Sequence, residues 1–340
     1  MKKKVFLMII LLIIVFILSN FVVKGCTAID EINKSIEKTN QILISAGFSG
    51  IYIYNVTNPA EPFLISHLEI SGFSIYVSDN YIYVANSTNG LVIIDISNLK
   101  NPKKVNDLVN GFWAPDVHVS GNYAYIADVE ILIVDVSDPV NPKKVGIFDT
   151  DGYSCNVRIS GNYAYVADGS NGLVIIDISN PENPKQVGHL GTKEWARDMK
   201  LSGNYAYIAD QDNGLVIVDV SNPENPKQAG HLYITNAWGV DISDTFLFGN
   251  IFGNKYAYVA AGEEGLIIVD ITNPRNPKRL SSLDVGSFSV SVFVMNNYAY
   301  IADRDTGILI VDITDPKHPK LVKHLHEIGG ALDVHVLVSD

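Results

Sequence analysis

Apolar positions in this chain fall into short runs separated by polar turns, and the plainest run is five residues long and ends in an acid. It reads LVIID up to Asp95, ILIVD up to Asp135, LVIID up to Asp177, LVIVD up to Asp219, LIIVD up to Asp270 and ILIVD up to Asp312, with IYIYN (51–55) as an earlier copy. The seven copies are spaced 40, 40, 42, 42, 51 and 42 residues apart. Runs this short, rich in β-branched residues and bounded by turn formers, are strands. Each has three companions: an alternating stretch such as DVHVS (116–120), an aromatic one such as NYAYIAD (122–128) and, after a proline turn, one such as KQVGHL (185–190). Four short strands at this period make one blade of a β-propeller.

The aromatic strand is the most regular of the four. Twelve of the 17 tyrosines fall on it, from Tyr81 and Tyr83 to Tyr298 and Tyr300, where large flat side chains suit packing between sheets. In SNPENPK (179–185) the Ser and Asn side chains can bond the backbone two residues on, and each proline fixes φ, so the chain reverses there. Pro184 and Pro226 precede the fourth strand, which marks it as the outer one, because proline is tolerated only at the start or edge of a sheet. The first copy, ILISAGFSGIYIYN (42–55), has second and third strands but no first, whereas the chain ends in LDVHVLVSD (332–340), a first strand without a sequel. Pairing 333–338 with 41–46 closes an all-β ring of seven four-stranded blades and removes its open edges.

These motifs, over residues 41 to 340, resemble those of the LVIVD-repeat family, β-propellers of bacterial and archaeal cell-surface proteins. The resemblance implies the ring and a surface location. It brings no catalytic activity to any residue.

The amino terminus changes the picture of where the ring works. Lys2, Lys3 and Lys4 precede an apolar run from Val5 to Leu18, extended by Phe21 to Val23, which is the pattern of an export signal. Its length nearly spans a bilayer, so it is either cleaved or kept as a membrane anchor with its lysines in the cytoplasm. A third route is lipid attachment at Cys26, since VKGC resembles a lipobox, although Lys24 stands where that motif takes a small or apolar residue. The division is therefore 1–26 signal peptide or anchor, 27–40 polar linker and 41–340 propeller. Only Cys155 remains inside the repeats, so packing and not disulfides must hold them. The chain has 25 basic and 37 acidic residues, a net charge of −12; residues 1–26 hold four lysines and no acid, so the rest carries −16. Such a surface repels phosphate backbones, and nucleic acid is not an expected partner.

Repetition separates scaffold from site. The acids ending each LVIVD run, and the His-Leu pairs at His67, His189, His231 and His324, recur in many copies and read as structural. The loops on the opposite, upper face differ in every blade, and varied loops on a rigid frame are where binding resides. Aligning the first strands gives two columns there. One holds Ser71, Trp113, Tyr153, Trp195, Trp238, Phe288 and Gly330, which is either a cover for the blade ends or an aromatic platform for a sugar or peptide. The other holds Ser74, Asp116, Asn156, Asp198, Asp241, Ser291 and Asp333 around the channel mouth. Its carboxylates, Asp116, Asp198, Asp241 and Asp333, either bond neighbouring blades or hold a hard cation such as Ca²⁺. No cofactor is otherwise expected. His118, Arg158, Lys200 and His335 fall at channel positions without a spacing that assigns them chemistry, and HExxH, GxSxG and CxxC motifs are absent. The longest spacing contains TFLFGNIFGN (245–254), an apolar insertion that either packs beneath blade six or forms a patch for a membrane or partner. The leading expectation is a non-enzymatic, extracytoplasmic binding module for a surface protein or glycan. The alternatives are a metal-assisted hydrolase or lyase working at the channel mouth, and a purely architectural surface-layer or adhesin spacer.

Overall fold

The computed structural model describes residues 40–86, 90–108, 113–243 and 255–339. The export or anchor segment, Cys26, and the apolar insertion at 245–254 lie outside the described residues. Within them the chain forms seven four-stranded antiparallel sheets. Blade 1 joins the carboxy-terminal strand Ala331–Ser339 to Asn40–Gly47, Gly50–Asn55 and Phe63–Leu68, and blades 2 to 7 follow in chain order. The inner strands, Ser74–Ser78, Asp116–Ser120, Asn156–Ser160, Asp198–Ser202, Gly239–Ser243, Ser289–Met295 and Ala331–Ser339, each touch the next around a central channel. Closure follows the expected register: Gln41 stands opposite Val338 and Ala46 opposite Asp333, with a bulge before the Gly47–Ala331 pair.

The unbroken apolar run of the third strand follows from this arrangement. In Leu215–Asp219, Leu215 and Ile217 enter a core with Val240 and Val259 of blade 6, while Val216 and Val218 enter another with Leu173 and Ile175 of blade 4. A strand covered on both faces has no polar side to show, so alternation disappears from its sequence. Seven such cores lie between the seven pairs of adjacent blades, each fed by both neighbours. The second tyrosine of each aromatic strand, such as Tyr207, Tyr258 or Tyr300, is fully buried in one of them.

The lower turns are made as their wording implies. Asp95, Asp135, Asp177, Asp219, Asp270 and Asp312 each accept the backbone N–H two residues on, at 2.8–3.0 Å. Asn180 and Asn222 do the same for Glu182 and Glu224. The recurrent histidines are scaffold too: His67, His189, His231 and His324 each place Nε2 within 2.6–3.1 Å of an upper-loop carbonyl, so the tautomer there carries its hydrogen on Nε2.

A glycine at one position of the outer strand sets how closely blades approach. Any Cβ on Gly146, Gly188 or Gly230 would collide with the carbonyl oxygen of Pro181, Pro223 or Pro274 in the next blade's turn. At the equivalent position other blades carry Ser66, Asn106 and Ser281, whose side chains donate to the carbonyls of Leu99, Val140 and Pro316 at 2.6–2.7 Å. Three blades thus carry no side chain at the contact and three carry one that bonds the turn, while blade 7 has Lys323 there. Gly188→Ala should therefore cost about 1–3 kcal/mol in denaturant unfolding, the usual penalty for overpacking. Gly191→Ala, three residues on with no atom within 4 Å of the new Cβ, should stay within about 0.5 kcal/mol of the parent. Equal stability of the two variants would show that the blade spacing adjusts freely.

Candidate functional site

Strand pairing fixes which residues of the seven inner strands are equivalent. Ser74, Asp116, Asn156, Asp198, Gly239, Ser291 and Asp333 all stand opposite an alanine of the second strand. Asp241 stands opposite Tyr258, as His118, Arg158 and Lys200 stand opposite Tyr125, Tyr165 and Tyr207. The expected carboxylate column is thus out of register by two residues in blade 6, where Gly239 takes the place assigned to Asp241. The aromatic column slips equally. Trp238 donates its backbone N–H to Ala260 as Arg197 does to Ala209, and the counterpart of Trp195 is Asn236. Trp113, Tyr153, Trp195 and Phe288 remain in one column, and Trp238 sits one level deeper.

The upper layer of the channel is a set of clasps between blades. Asp116 accepts the N–H of Val157, Asp198 that of Val240 and Asp333 that of Ile75, each in the next blade, at 2.8–3.0 Å. The Ser74 hydroxyl lies 2.7 Å from Asp116 and 2.9 Å from Asp333, and Ser291 donates to Asp333 at 2.9 Å. Burial, with Asp116 close by, raises the Asp333 carboxyl above the usual carboxylate range. One level down, Asp241 repeats the clasp on Val294 at 2.7 Å. The four carboxylates proposed as cation ligands therefore face backbone amides and hydroxyls. Among the described residues no three His, Cys, Asp or Glu side chains converge on a point where one ion could be held.

The deeper layer is charged and aromatic. Arg158 bonds Asp116 at 2.8 Å and reaches Asp198 at 3.5 Å, and Lys200 pairs with Asp241 at 2.8 Å. Tyr76 and His118, and Phe293 and His335, lie with ring centres 4.5 and 4.6 Å apart. Burial, with Arg158 and Lys200 nearby, pushes His118 down to about 3 and His335 to about 4, so both are neutral at pH 7. Neither is an acid or base tuned to neutral pH.

Above these layers the channel widens into a bowl, and the whole cavity measures about 720 Å³. Phe73, Trp113, Tyr153, Trp195 and Trp238 line its upper part, each with an aromatic neighbour. Phe73 lies between Phe48 and Trp113, at 5.9 and 5.4 Å; Tyr153 meets Trp195 at 6.1 Å; Trp238 meets Phe288 edge-on at 5.4 Å. Trp113 is 57% exposed, far more than a blade cover requires. The guanidinium of Arg197 lies 3.7 Å from the centre of the Trp238 ring and that of Arg304 lies 4.2 Å from Phe288. Cys155 accepts the indole N–H of Trp195 at 3.1 Å, and burial raises its thiol pKa to about 11, which leaves it unreactive at neutral pH.

Two features of this face escaped the sequence. Arg197 is preceded by Trp195 in WARD, but no repeat marks it as special. Three of the varied upper loops, in blades 4, 5 and 7, also share a device, an aspartate at the end of the aromatic strand. Asp168 accepts from Thr150, Ser154 and Asn171, Asp210 from Thr192 and Asn213, and Asp303 from Ser287 and Thr306, all at 2.6–3.1 Å. The signal was present in NYAYIAD, whose final acid recurs while its loop partners change.

Burial pushes Asp198 up to about 6 against the pull of Arg158. A carboxyl raised from about 3.9 in the unfolded chain binds its proton more tightly when folded. Its contribution to stability is full below about pH 4 and lost as pH rises through about 6. Asp198→Asn removes that titration, so the melting temperature of the variant minus that of the parent should grow by a few degrees between pH 4 and 7. A flat difference would mean that the folded and unfolded carboxyls titrate alike.

Solved structures of similar shape are diverse. The chain aligns with the computationally designed Ika8 protein at 14% identity and a TM-score of 0.58, over 86% of this chain and 83% of that one. It aligns with Saccharomyces cerevisiae Sqt1 at 7% identity and 0.63, over 87% and 85%. With the β-propeller domain of Myceliophteria thermophila Cps50 (Swd1) the figures are 13% identity and 0.62, over 79% and 91%. At such identities the likeness is one of fold. No curated protein matches the sequence. The LVIVD repeat, however, is matched six times, at 72–107, 113–150, 151–192, 195–233, 251–285 and 288–326, and with two-thirds of its length so covered the chain belongs to the LVIVD-repeat family.

Proposed function

We propose that this propeller is a non-enzymatic binding module held outside the cytoplasmic membrane by its amino-terminal segment, and that a glycan or a surface protein docks in the bowl of its upper face. The observation that carries this reading is the aromatic rim around a 720 Å³ concavity. Pockets of this size lined by aromatic groups with a few polar ones bury small ligands or a protruding piece of a larger one. Flat amphipathic rings are efficient anchors because they bring area with few rotors to freeze. The carboxylates beneath are engaged with backbone amides and favour a rigid floor over a reactive one. The location rests on Lys2 to Lys4 and the apolar run after them, together with the family resemblance.

The test is a glycan and peptide array probed with the full-length chain and with a Trp113→Ala, Trp195→Ala, Trp238→Ala variant. Truncating three rim anchors should reduce retained binding at least a hundredfold while the variant keeps its fold by circular dichroism. Binding that survives the triple substitution would remove the upper face from consideration.

A further inference from the structure

We infer that the wall of the bowl between blades 5 and 6, where Arg197 lies on Trp238, is a carboxylate subsite, and that the ligand is an acidic sugar of the hexuronate type. The inference rests on the binding-module reading and narrows its ligand. Three of the four cations around the cavity have acidic partners: Arg158 has Asp116 and Asp198, Lys200 has Asp241 and Arg304 has Asp305. Arg197 has none among the described residues, although the chain carries an excess of acid. Its Nε–H is buried without an acceptor, and so is the indole N–H of Trp238, the ring it stacks upon. Those two atoms are closed off by the stack itself, but Arg197 lines the cavity and is only partly buried, so an unpaired cation faces the bowl, and its complement is a group that only accepts hydrogen bonds and carries negative charge. A carboxylate meets both conditions, and stacking on an aromatic ring presents the planar fork of a guanidinium to it.

The rest of the subsite favours a sugar as the carrier. Trp195 borders the same part of the bowl, seated on Gly169, where any side chain would collide with its ring, and its N–H is already given to Cys155. The ring therefore offers apolar surface for the C–H face of a pyranose and no further hydrogen bond. A cavity of about 720 Å³ holds one or two sugar rings and is too small for a folded domain.

Calorimetric titration of the full-length chain with glucuronate, glucose and N-acetyl-alanyl-tyrosine separates the outcomes. Glucuronate should bind at least tenfold more tightly than glucose, the factor expected of one charge-assisted contact, and more tightly than the peptide. Arg197→Gln should bring glucuronate to the level of glucose, and Trp238→Leu, which removes the ring that holds the guanidinium, should weaken it several-fold. Arg279→Gln, whose partner is Glu264 on the outer edge, should leave it unchanged. Equal binding of the two sugars, no binding of either, or full affinity in Arg197→Gln would overturn the carboxylate subsite. Preference for the peptide would overturn the sugar. If array binding is lost in the triple tryptophan variant but glucuronate is ignored, the binding-module reading stands and only this inference falls.

Discussion

The third strand of each blade is apolar on both faces, and no single four-stranded sheet can bury both. Each blade must therefore sit between two others, and a row of blades always leaves two end blades exposed. Only a closed ring satisfies all of them at once. Closure depends on the pairing of Ala331–Ser339 with Asn40–Gly47, which gives blade 1 its inner strand from the far end of the chain. Without it the core that Leu43 and Tyr54 share with Tyr300 and Ile310 would lose Val334 and Val336, and two unpaired strand edges would face water. Because every core is made by two neighbours, a loss at this seam is felt on both sides of it.

Given the ring, the same side chain performs three different tasks according to height. At the bottom, aspartates accept local amides and turn the chain. At the top, buried aspartates such as Asp168 and Asp210 gather hydroxyls and amides of the entering loop. Along the channel, Asp116, Asp198, Asp241 and Asp333 clasp the inner strand of the next blade. This last task gives each member of the buried acidic ring a partner of its own in the next blade. Each carboxylate is stabilised by an amide dipole from its neighbour, Asp116 and Asp198 also by Arg158 from the layer below, and Asp241 by Lys200 at its own level.

Fold, blade number and closing register were legible in the sequence because they depend on period and pattern, which seven copies average over. The site was legible only in part, because a single copy decides it. Aligning the first strands on their tryptophans put Trp238 beside Trp195 and pulled Asp241 into the carboxylate column. The better anchor was the serine that ends SIYVS, DVHVS, NVRIS, DMKLS and GVDIS, since strand pairing counts from the turn. A tryptophan in a loop carries no such constraint. The aromatic rim and the channel carboxylates were thus placed on the correct face, with one blade misaligned by two residues.

That misalignment concealed the feature that distinguishes one sector of the bowl from the others. With the register corrected, Trp238 is the counterpart of Arg197, so the two residues sit at the same level of adjacent blades and can stack across the gap. The equivalent positions in other blades hold Phe73, Pro115, Cys155, Val290 and Leu332, none of which carries a charge. A seven-fold scaffold gives every blade the same opportunity at this level, and only between blades 5 and 6 is it filled by a cation on an indole. Elsewhere around the cavity each cation has an acid beside it, Arg158 with Asp116 and Asp198, Lys200 with Asp241 and Arg304 with Asp305. Here the repeat is broken in a way that adds a cation with no acidic partner among the described residues.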